Sequence, residues 1–106
     1  MDRLSRIDML IKLLEKEPED IFLNYVLGIE LVAEIDLSGA ETQFKKVIAI
    51  ENNYIPAYYQ LGKLFESQLK KDEALRFYQQ GLVFAKEKKD HKTVNEFEEA
   101  IFLLED

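Results

Sequence analysis

Hydrophobic residues recur at helical spacing along almost the whole chain. In the first run, apolar side chains stand three or four positions apart between Arg3 and Lys16, and Pro18 ends the pattern. A second run, from about Asp20 to Ile35, is apolar on nearly every face, which is typical of a helix buried on more than one side. The pattern therefore predicts two helices at the start of an all-α chain.

The next two runs carry helix-start signals. The third helix is predicted to begin at Ser38, because Ser38 and Glu41 have the spacing of a capping box, and to end near Asn52. The fourth opens with Pro56, which suits a first helical turn, and runs to about Leu69. Both helices carry one apolar stripe, so each is expected to bury one face.

The remaining residues predict two more helices. The fifth is expected to be capped by Asp72 and to run to about Glu87, and the sixth to start near Asp90. In the sixth, apolar residues stand at intervals of three, four and three positions, from Val94 to Leu104. The prediction is therefore about six helices and no strand.

An interval of 34 residues relates the second and third helices to the fourth and fifth. The related pairs are Leu27 with Leu61, Gly28 with Gly62, Ala40 with Ala74, and Phe44 with Tyr78. A fixed period of this length indicates a repeat architecture, in which helix pairs stack to cover their apolar faces. Glycine on the shared face permits a close approach of two helix backbones.

The residues at these positions resemble a known signature. The segment "Y-x-x-L-G-x-x-F" from Tyr58, followed by "A-x-x-x-Y" from Ala74, is similar to the tetratricopeptide repeat (TPR). A second copy begins at Asn24 and continues at Ala40, although Asn24 stands where a large side chain is usual. The resemblance implies antiparallel helix pairs stacked as a short right-handed solenoid.

The same resemblance predicts how the chain is divided. Residues 1–106 are expected to form one TPR-like domain, with a half-repeat helix at 1–17 and a C-terminal capping helix at 89–106. Between them lie repeat one at 21–54 and repeat two at 55–88.

Composition narrows the functional classes. Acidic residues outnumber basic ones 21 to 14, for a net charge of −7, which disfavours nucleic acid and anionic membranes as partners. Cysteine is absent, and the single histidine, His91, is expected at the surface or at a helix cap. The acidic side chains are interpreted as solvated helix faces, and no glycine-rich phosphate loop occurs. We therefore predict a non-enzymatic protein without catalytic residues, metal or cofactor, and keep an enzyme only as a remote alternative. A cytoplasmic location is also predicted, since no signal peptide is apparent.

By resemblance, TPR proteins bind peptides or helices in a concave groove lined by the first helix of each pair. In repeat one this face is apolar, whereas in repeat two it is mixed. The candidate groove residues are Phe22, Tyr25, Ile29 and Val32, followed by Tyr59, Lys63 and Glu66. Because Lys63 is the only cation among them, a clamp for a partner's C-terminal carboxylate is rejected.

Three interpretations of the apolar half are open. The first helix or the chain ends cover it, a second copy pairs with it in a homodimer, or another protein's peptide or helix binds there. Of the adjacent tyrosines, Tyr58 is expected to point into the helix pair and Tyr59 into the groove, because one residue turns a helix by about 100°.

Overall fold

The computed structural model describes residues 1–105, and within them the ordered elements are all helices. Their bounds are α1 Arg3–Lys16, α2 Ile21–Ala33, α3 Leu37–Ile50, α4 Ile55–Ser67, α5 Lys71–Lys88 and α6 His91–Glu105. The all-α prediction and the number of helices are confirmed. No helix of the described part combines the length and apolarity needed to cross a bilayer.

The helices pack as neighbours along the chain. Helix α2 pairs antiparallel with α3, and α4 with α5, while α1 packs on α2 and α6 on α5. The chain divides into two compact units, the first from Met1 to Asn52 and the second from Asn53 onward. That residues 1–106 form a single domain, with repeats at 21–54 and 55–88 and end helices at 1–17 and 89–106, stays a prediction.

Aspartate side chains begin four of the helices. The carboxylates of Asp2, Asp20 and Asp36 accept hydrogen bonds of 2.8–2.9 Å from the backbone N–H three positions further on. Asp90 accepts in the same way from the Thr93 N–H, at 3.2 Å. Such a bond satisfies a backbone donor that has no partner within the helix.

The capping box predicted at Ser38 and Glu41 is therefore wrong. Helix α3 starts one residue earlier than predicted, and Asp36 is its N-cap. The Asp36 side chain lies directly beneath Gly39, where a Cβ atom would meet it at 2.6 Å. An aspartate two positions upstream takes the capping role from Ser38, which is already inside the helix.

The predicted cap of α5 at Asp72 is wrong as well. Its N-cap is Lys70, which makes no side-chain capping bond, and Asp72 lies in the first turn. The preceding turn sets this start: Leu69 adopts the left-handed region with φ 61°, and the Lys70 N–H donates to the Phe65 carbonyl. This closing pattern is a Schellman motif, after which the next helix begins at once.

The core of each helix pair is a glycine against an aromatic ring. A Cβ atom on Gly62 would overlap the Tyr78 ring, and one on Gly28 would lie 2.5 Å from Cε1 of Phe44. Tyr78 and Phe44 are both completely buried. The 34-residue period therefore corresponds to one repeated contact, in which the ring occupies the space of a missing side chain.

A third contact of this kind joins α5 to α6. The ring of Phe97 lies against Gly81, where an added Cβ atom would also meet the Cβ of Tyr58 at 2.9 Å. At the equivalent place in the first unit stands Val47, which is completely buried. Gly81 thus leaves room for Phe97, which is itself completely buried.

The repeat interval changes before α6. Helix α4 starts at Ile55, 34 residues after Ile21, whereas α6 starts at His91, 36 residues after Ile55. Helix α5 has 18 residues against 14 in α3, but the turn after it, 89–90, is two residues shorter than the turn 51–54 after α3, so the net gain is two residues. Phe97 accordingly takes the place in α6 that Leu61 takes in α4.

Replacing Gly62 by alanine separates helix propensity from packing. Propensity alone would stabilise the helix by about 1 kcal/mol, but the new Cβ atom collides with the Tyr78 ring. We expect the Gly62→Ala variant to lose about 1–3 kcal/mol of unfolding free energy, measured by urea denaturation.

The control is a double-mutant cycle with Tyr78→Leu. When the ring has been removed, the Gly62→Ala change should cost much less, so that the two effects are not additive. An increase in stability from Gly62→Ala alone would contradict the close contact.

Candidate functional site

The three candidate residues of α4 lie in one groove of the second unit. Tyr59, Lys63 and Glu66 line a cavity of about 240 Å³. The opposite wall belongs to α6 and consists of Glu96, Glu99, Ala100 and Leu103. We call this cavity the α4–α6 groove.

The two adjacent tyrosines have different environments. Tyr58 is 3% exposed, and its ring packs against those of Phe77 and Phe84 on α5, with centroids 6.5 and 5.5 Å away. Tyr59 is half-buried and lines the groove. Its ring also contacts Phe97 edge-on, at a centroid distance of 5.6 Å. Truncating Tyr59 would therefore disturb the core as well as the groove.

Lys63 is exposed and lies beside Tyr59. Its Nζ atom is 5.9 Å from the centroid of the Tyr59 ring, within the range of a cation–π interaction. This places the positive charge at the aromatic end of the groove.

Glu66 is connected to the buried core through a hydrogen bond. The Tyr78 hydroxyl donates to Oε1 of Glu66 over 2.8 Å. Burial raises the pKa of the Tyr78 phenol well above its usual range, and the hydrogen bond to Glu66 adds to this effect. The bond fixes a carboxylate at the groove wall, because Tyr78 itself is held against Gly62.

The balance of charge in the α4–α6 groove is negative. Glu66, Glu96 and Glu99 provide three carboxylates, against the single ammonium of Lys63. Tyr59 and Leu103 add aromatic and aliphatic surface. The groove is therefore suited to a ligand that combines positive charge with apolar groups.

The four apolar candidates lie on α2, in the first unit. Phe22 is 67% exposed, whereas Tyr25, Ile29 and Val32 are half-buried. The Tyr25 ring packs against Phe44 at a centroid distance of 5.7 Å, the counterpart of the Tyr59–Tyr78 contact in the second unit. The strongly exposed member of the predicted apolar stripe is thus Phe22.

Two ion pairs join α1 to α2. Arg6 pairs with Glu30 at 3.0 Å, and Arg3 with Glu34 at 3.0 Å. The turn between the helices is closed by the side-chain amide of Asn24, which donates to the Pro18 carbonyl. The two ion pairs with α1 therefore use Glu30 and Glu34, which are not among the four apolar candidates.

The α6 wall of the groove was not among the predicted site residues. A strict period of 34 aligns Asn95 and Glu96 with Leu61 and Gly62, so α6 resembles only a cap. The feature of the sequence that could have identified the α6 wall is Phe97. It is the first large apolar residue of α6 that can take the place of Leu61 when the repeat interval is 36 residues. With that register, Glu99 aligns with Lys63 and faces the groove.

The described residues contain no cluster of three or more histidine or acidic side chains able to hold a metal ion. His91 is exposed and is the first residue of α6.

Comparison with known proteins places the fold. A tetratricopeptide repeat domain protein from Salinibacter ruber is 33% identical, with 83% of this chain and 89% of that chain covered and a TM-score of 0.78. A protein from Bordetella parapertussis is 20% identical over 92% of this chain and 85% of the other, with a TM-score of 0.81. The TPR2B domain of yeast Sti1, in a complex with pHsp70, is 14% identical, with coverage of 98% and 83% and a TM-score of 0.89. No protein-family model matches the chain, and no curated protein does.

Helix pairs closed by a glycine–ring contact and repeated every 34 residues define a helical-repeat protein. The chain belongs to the tetratricopeptide-repeat family, in agreement with the resemblance of its sequence motifs.

Burial of the Tyr78 phenol, together with its hydrogen bond to Glu66, raises the pKa of Tyr78 and predicts a dependence of stability on pH. The unfolded phenol ionises near pH 10, whereas the folded one retains its proton to higher pH. The stabilisation is therefore complete below pH 10 and is lost as the pH rises above it, by about 1.4 kcal/mol per pH unit.

Tyr78→Phe tests this linkage. The variant should be about 1–3 kcal/mol less stable at neutral pH, because the Glu66 carboxylate loses its donor. The difference in unfolding free energy from the parent should shrink between pH 10 and 11.5. Parallel curves for the two proteins over that range would contradict the raised pKa of Tyr78.

Proposed function

We propose that this chain is a protein-interaction module whose α4–α6 groove binds a peptide or helix that carries a basic residue. The observation that carries the proposal is the arrangement of three carboxylates and one ammonium around an aromatic and aliphatic surface. The TPR fold supports a protein partner in general, since the similar TPR2B domain is found in a complex with pHsp70.

The groove chemistry favours a particular kind of segment. A lysine or arginine side chain can approach Glu96 and Glu99, while an apolar neighbour contacts Tyr59 and Leu103. The cavity of about 240 Å³ is below the usual size of a small-molecule pocket, which makes one or two side chains the natural occupants. Exposed Phe22 on α2, with Tyr25, Ile29 and Val32 beside it, is proposed as a further apolar contact surface. A non-enzymatic role and a cytoplasmic location are parts of the same proposal.

Charge reversal in the groove tests the proposal. An array of peptides that vary in net charge and apolar content would be screened for binding to the parent, Glu96→Lys and Glu99→Lys. We expect basic–apolar peptides to bind the parent and to lose at least tenfold in affinity for each variant, because each variant brings like charges together.

Glu98→Lys is the matched control for both variants. Glu98 is exposed on the same helix but does not line the groove, so its reversal changes the net charge equally. Equal losses in Glu98→Lys and Glu99→Lys would indicate a nonspecific charge effect and overturn the groove assignment. Thermal unfolding of each variant verifies that it is folded.

Self-association through the apolar face of α2 that carries Phe22 is the second candidate function. The 67% exposure of Phe22 favours it. Sedimentation velocity over a hundredfold range of concentration should then show a dimer that Phe22→Ser dissociates. Leu4→Ser is the control, because Leu4 is comparably exposed, at 64%, but lies on α1. A parent protein that stays monomeric throughout contradicts this candidate.

A further inference from the structure

Helix α1 has exposed apolar side chains beside the stripe that packs on α2. Met9 and Leu13 lie one turn apart and are 47% and 43% exposed, whereas Ile7 is the buried residue of this helix. Arg6 stands three positions before Met9, and Lys16 stands three positions after Leu13, so both cations share one side of α1 with the apolar pair. We call Arg6, Met9, Leu13 and Lys16 the α1 face.

Helix α6 has a face of the opposite kind. Phe102 is 71% exposed, and the exposed carboxylates of Glu98 and Glu105 stand four positions before it and three after it, on the same side of the helix. We call these three residues the α6 face. It is separate from the α4–α6 groove, because Leu103, the groove residue next to Phe102, is turned from it by about 100°.

The two faces are complementary in charge. Helix α1 contains four basic and two acidic side chains, and α6 contains four acidic side chains and one lysine. Among the helices of residues 1–105, α1 is the most basic and α6 the most acidic. An apolar centre flanked by cations on one helix thus matches an apolar centre flanked by carboxylates on the other.

The repeat register gives the two faces matching positions. Inside the second unit, Phe77 of α5 stacks on Phe65 of α4, with ring centroids 5.5 Å apart. Met9 stands two intervals of 34 residues before Phe77, and Ile101, next to Phe102, stands 36 residues after Phe65. Helix α1 therefore offers the position that α5 uses in this contact, and α6 offers the position that α4 uses.

We propose that this chain associates with further copies of itself, through a contact of α6 of one copy with α1 of the next. In the antiparallel arrangement that the helix pairs adopt, Phe102 meets Met9 and Leu13. The same arrangement brings Glu98, in the first half of α6, to Lys16, the last residue of α1. Because two different faces meet, the contact is heterologous and joins the copies head to tail.

Two features of the faces make this association reversible. At the 36-residue interval, Glu98 takes the place of Gly62, so the close approach of a glycine to a ring is not repeated between copies. Lys16 makes no ion pair within residues 1–105, whereas Arg6 is already paired with Glu30. The Lys16 ammonium therefore supplies the attraction to Glu98, and added salt should weaken it, since exposed charges are screened.

Sedimentation velocity over a hundredfold range of concentration tests the proposal with two single variants of the full chain. Met9→Glu places a carboxylate in the α1 face, opposite the carboxylates of α6, and Phe102→Ser removes the ring of the α6 face. We expect the weight-average mass of the parent to rise with concentration and that of each variant to stay at the monomer. A parent that stays monomeric at every concentration overturns the proposal.

An equimolar mixture of the two variants is the decisive measurement. Met9→Glu retains an intact α6 face and Phe102→Ser an intact α1 face, so the mixture should form a heterodimer although neither variant associates alone. The heterodimer should not grow further, because its two remaining faces are the mutated ones. A mixture that stays monomeric would show that α6 of one copy does not bind α1 of another.

Two matched controls lie on the same helices. Leu4→Ser changes an exposed residue on the side of α1 away from Met9 and Leu13, and Leu103→Ser changes a residue of α6 that is 65% exposed in the α4–α6 groove. Both variants should associate as the parent does. Equal losses in Leu103→Ser and Phe102→Ser would overturn the assignment of the α6 face. Thermal unfolding verifies that each variant is folded.

A charge exchange tests the antiparallel arrangement. Lys16→Glu and Glu98→Lys each bring like charges together and should weaken the association about threefold to tenfold. The double variant, which exchanges the two charges within one chain, should regain the affinity of the parent. A double variant that is weaker than both single ones would contradict the pairing of Lys16 with Glu98.

This inference rests neither on the α4–α6 groove nor on the apolar face of α2. Phe22→Ser should leave the head-to-tail association unchanged, and a dimer that only Phe22→Ser dissociates would overturn the contact of α6 with α1. Binding of basic–apolar peptides to the groove is measured separately and does not enter the sedimentation result. The proposals can therefore fail independently of one another.

Discussion

The rest of the structure depends on one kind of contact, in which an aromatic ring packs against a neighbouring helix at a glycine, where that helix has no side chain. Each ring occupies a space that a single Cβ atom on the glycine would enter. The three contacts are Phe44 against Gly28, Tyr78 against Gly62 and Phe97 against Gly81. Because all three rings are completely buried, each contact fixes both the distance between two helices and their rotation about their axes. The 34-residue period in the sequence reflects the first two of these glycine–ring contacts.

The α4–α6 groove follows from the same contacts. Tyr78 reaches Glu66 with its hydroxyl while its ring lies against Gly62, so one side chain both closes the helix pair and orients a groove carboxylate. Phe97 anchors α6 through Gly81 and also contacts Tyr59. The residues that form the groove are thus adjacent to core residues. Its acidic character comes from solvent-facing residues of α4 and α6, whose positions are set by the packing of the core.

Periodicity predicted which residues share a face, because that depends only on the helical repeat. The burial of Tyr58, Leu61 and Phe65, and the bounds of α1, follow from it directly. Periodicity was less informative about where helices start. The start of α5 depends on the turn that closes at Leu69. The start of α3 depends on which of two nearby side-chain oxygens, that of Asp36 or that of Ser38, accepts a hydrogen bond from a backbone N–H. The α6 wall could not be predicted because α6 starts 36 rather than 34 residues after α4, which only the three-dimensional structure reveals. The hydrogen bond from Asn24 to the Pro18 carbonyl is visible in the sequence only as a departure of Asn24 from the family pattern.

The uneven distribution of aromatic residues has a spectroscopic consequence. The chain contains no tryptophan, and four of its five tyrosines lie after Asn53, among them Tyr58, Tyr59 and Tyr78 in contact with other rings. Near-ultraviolet circular dichroism, which reports on rings in fixed asymmetric surroundings, is therefore mainly a signal of the second unit. Far-ultraviolet dichroism reports helices in both units. The two signals together reveal whether the units unfold in one cooperative step or in succession, without any label or substitution.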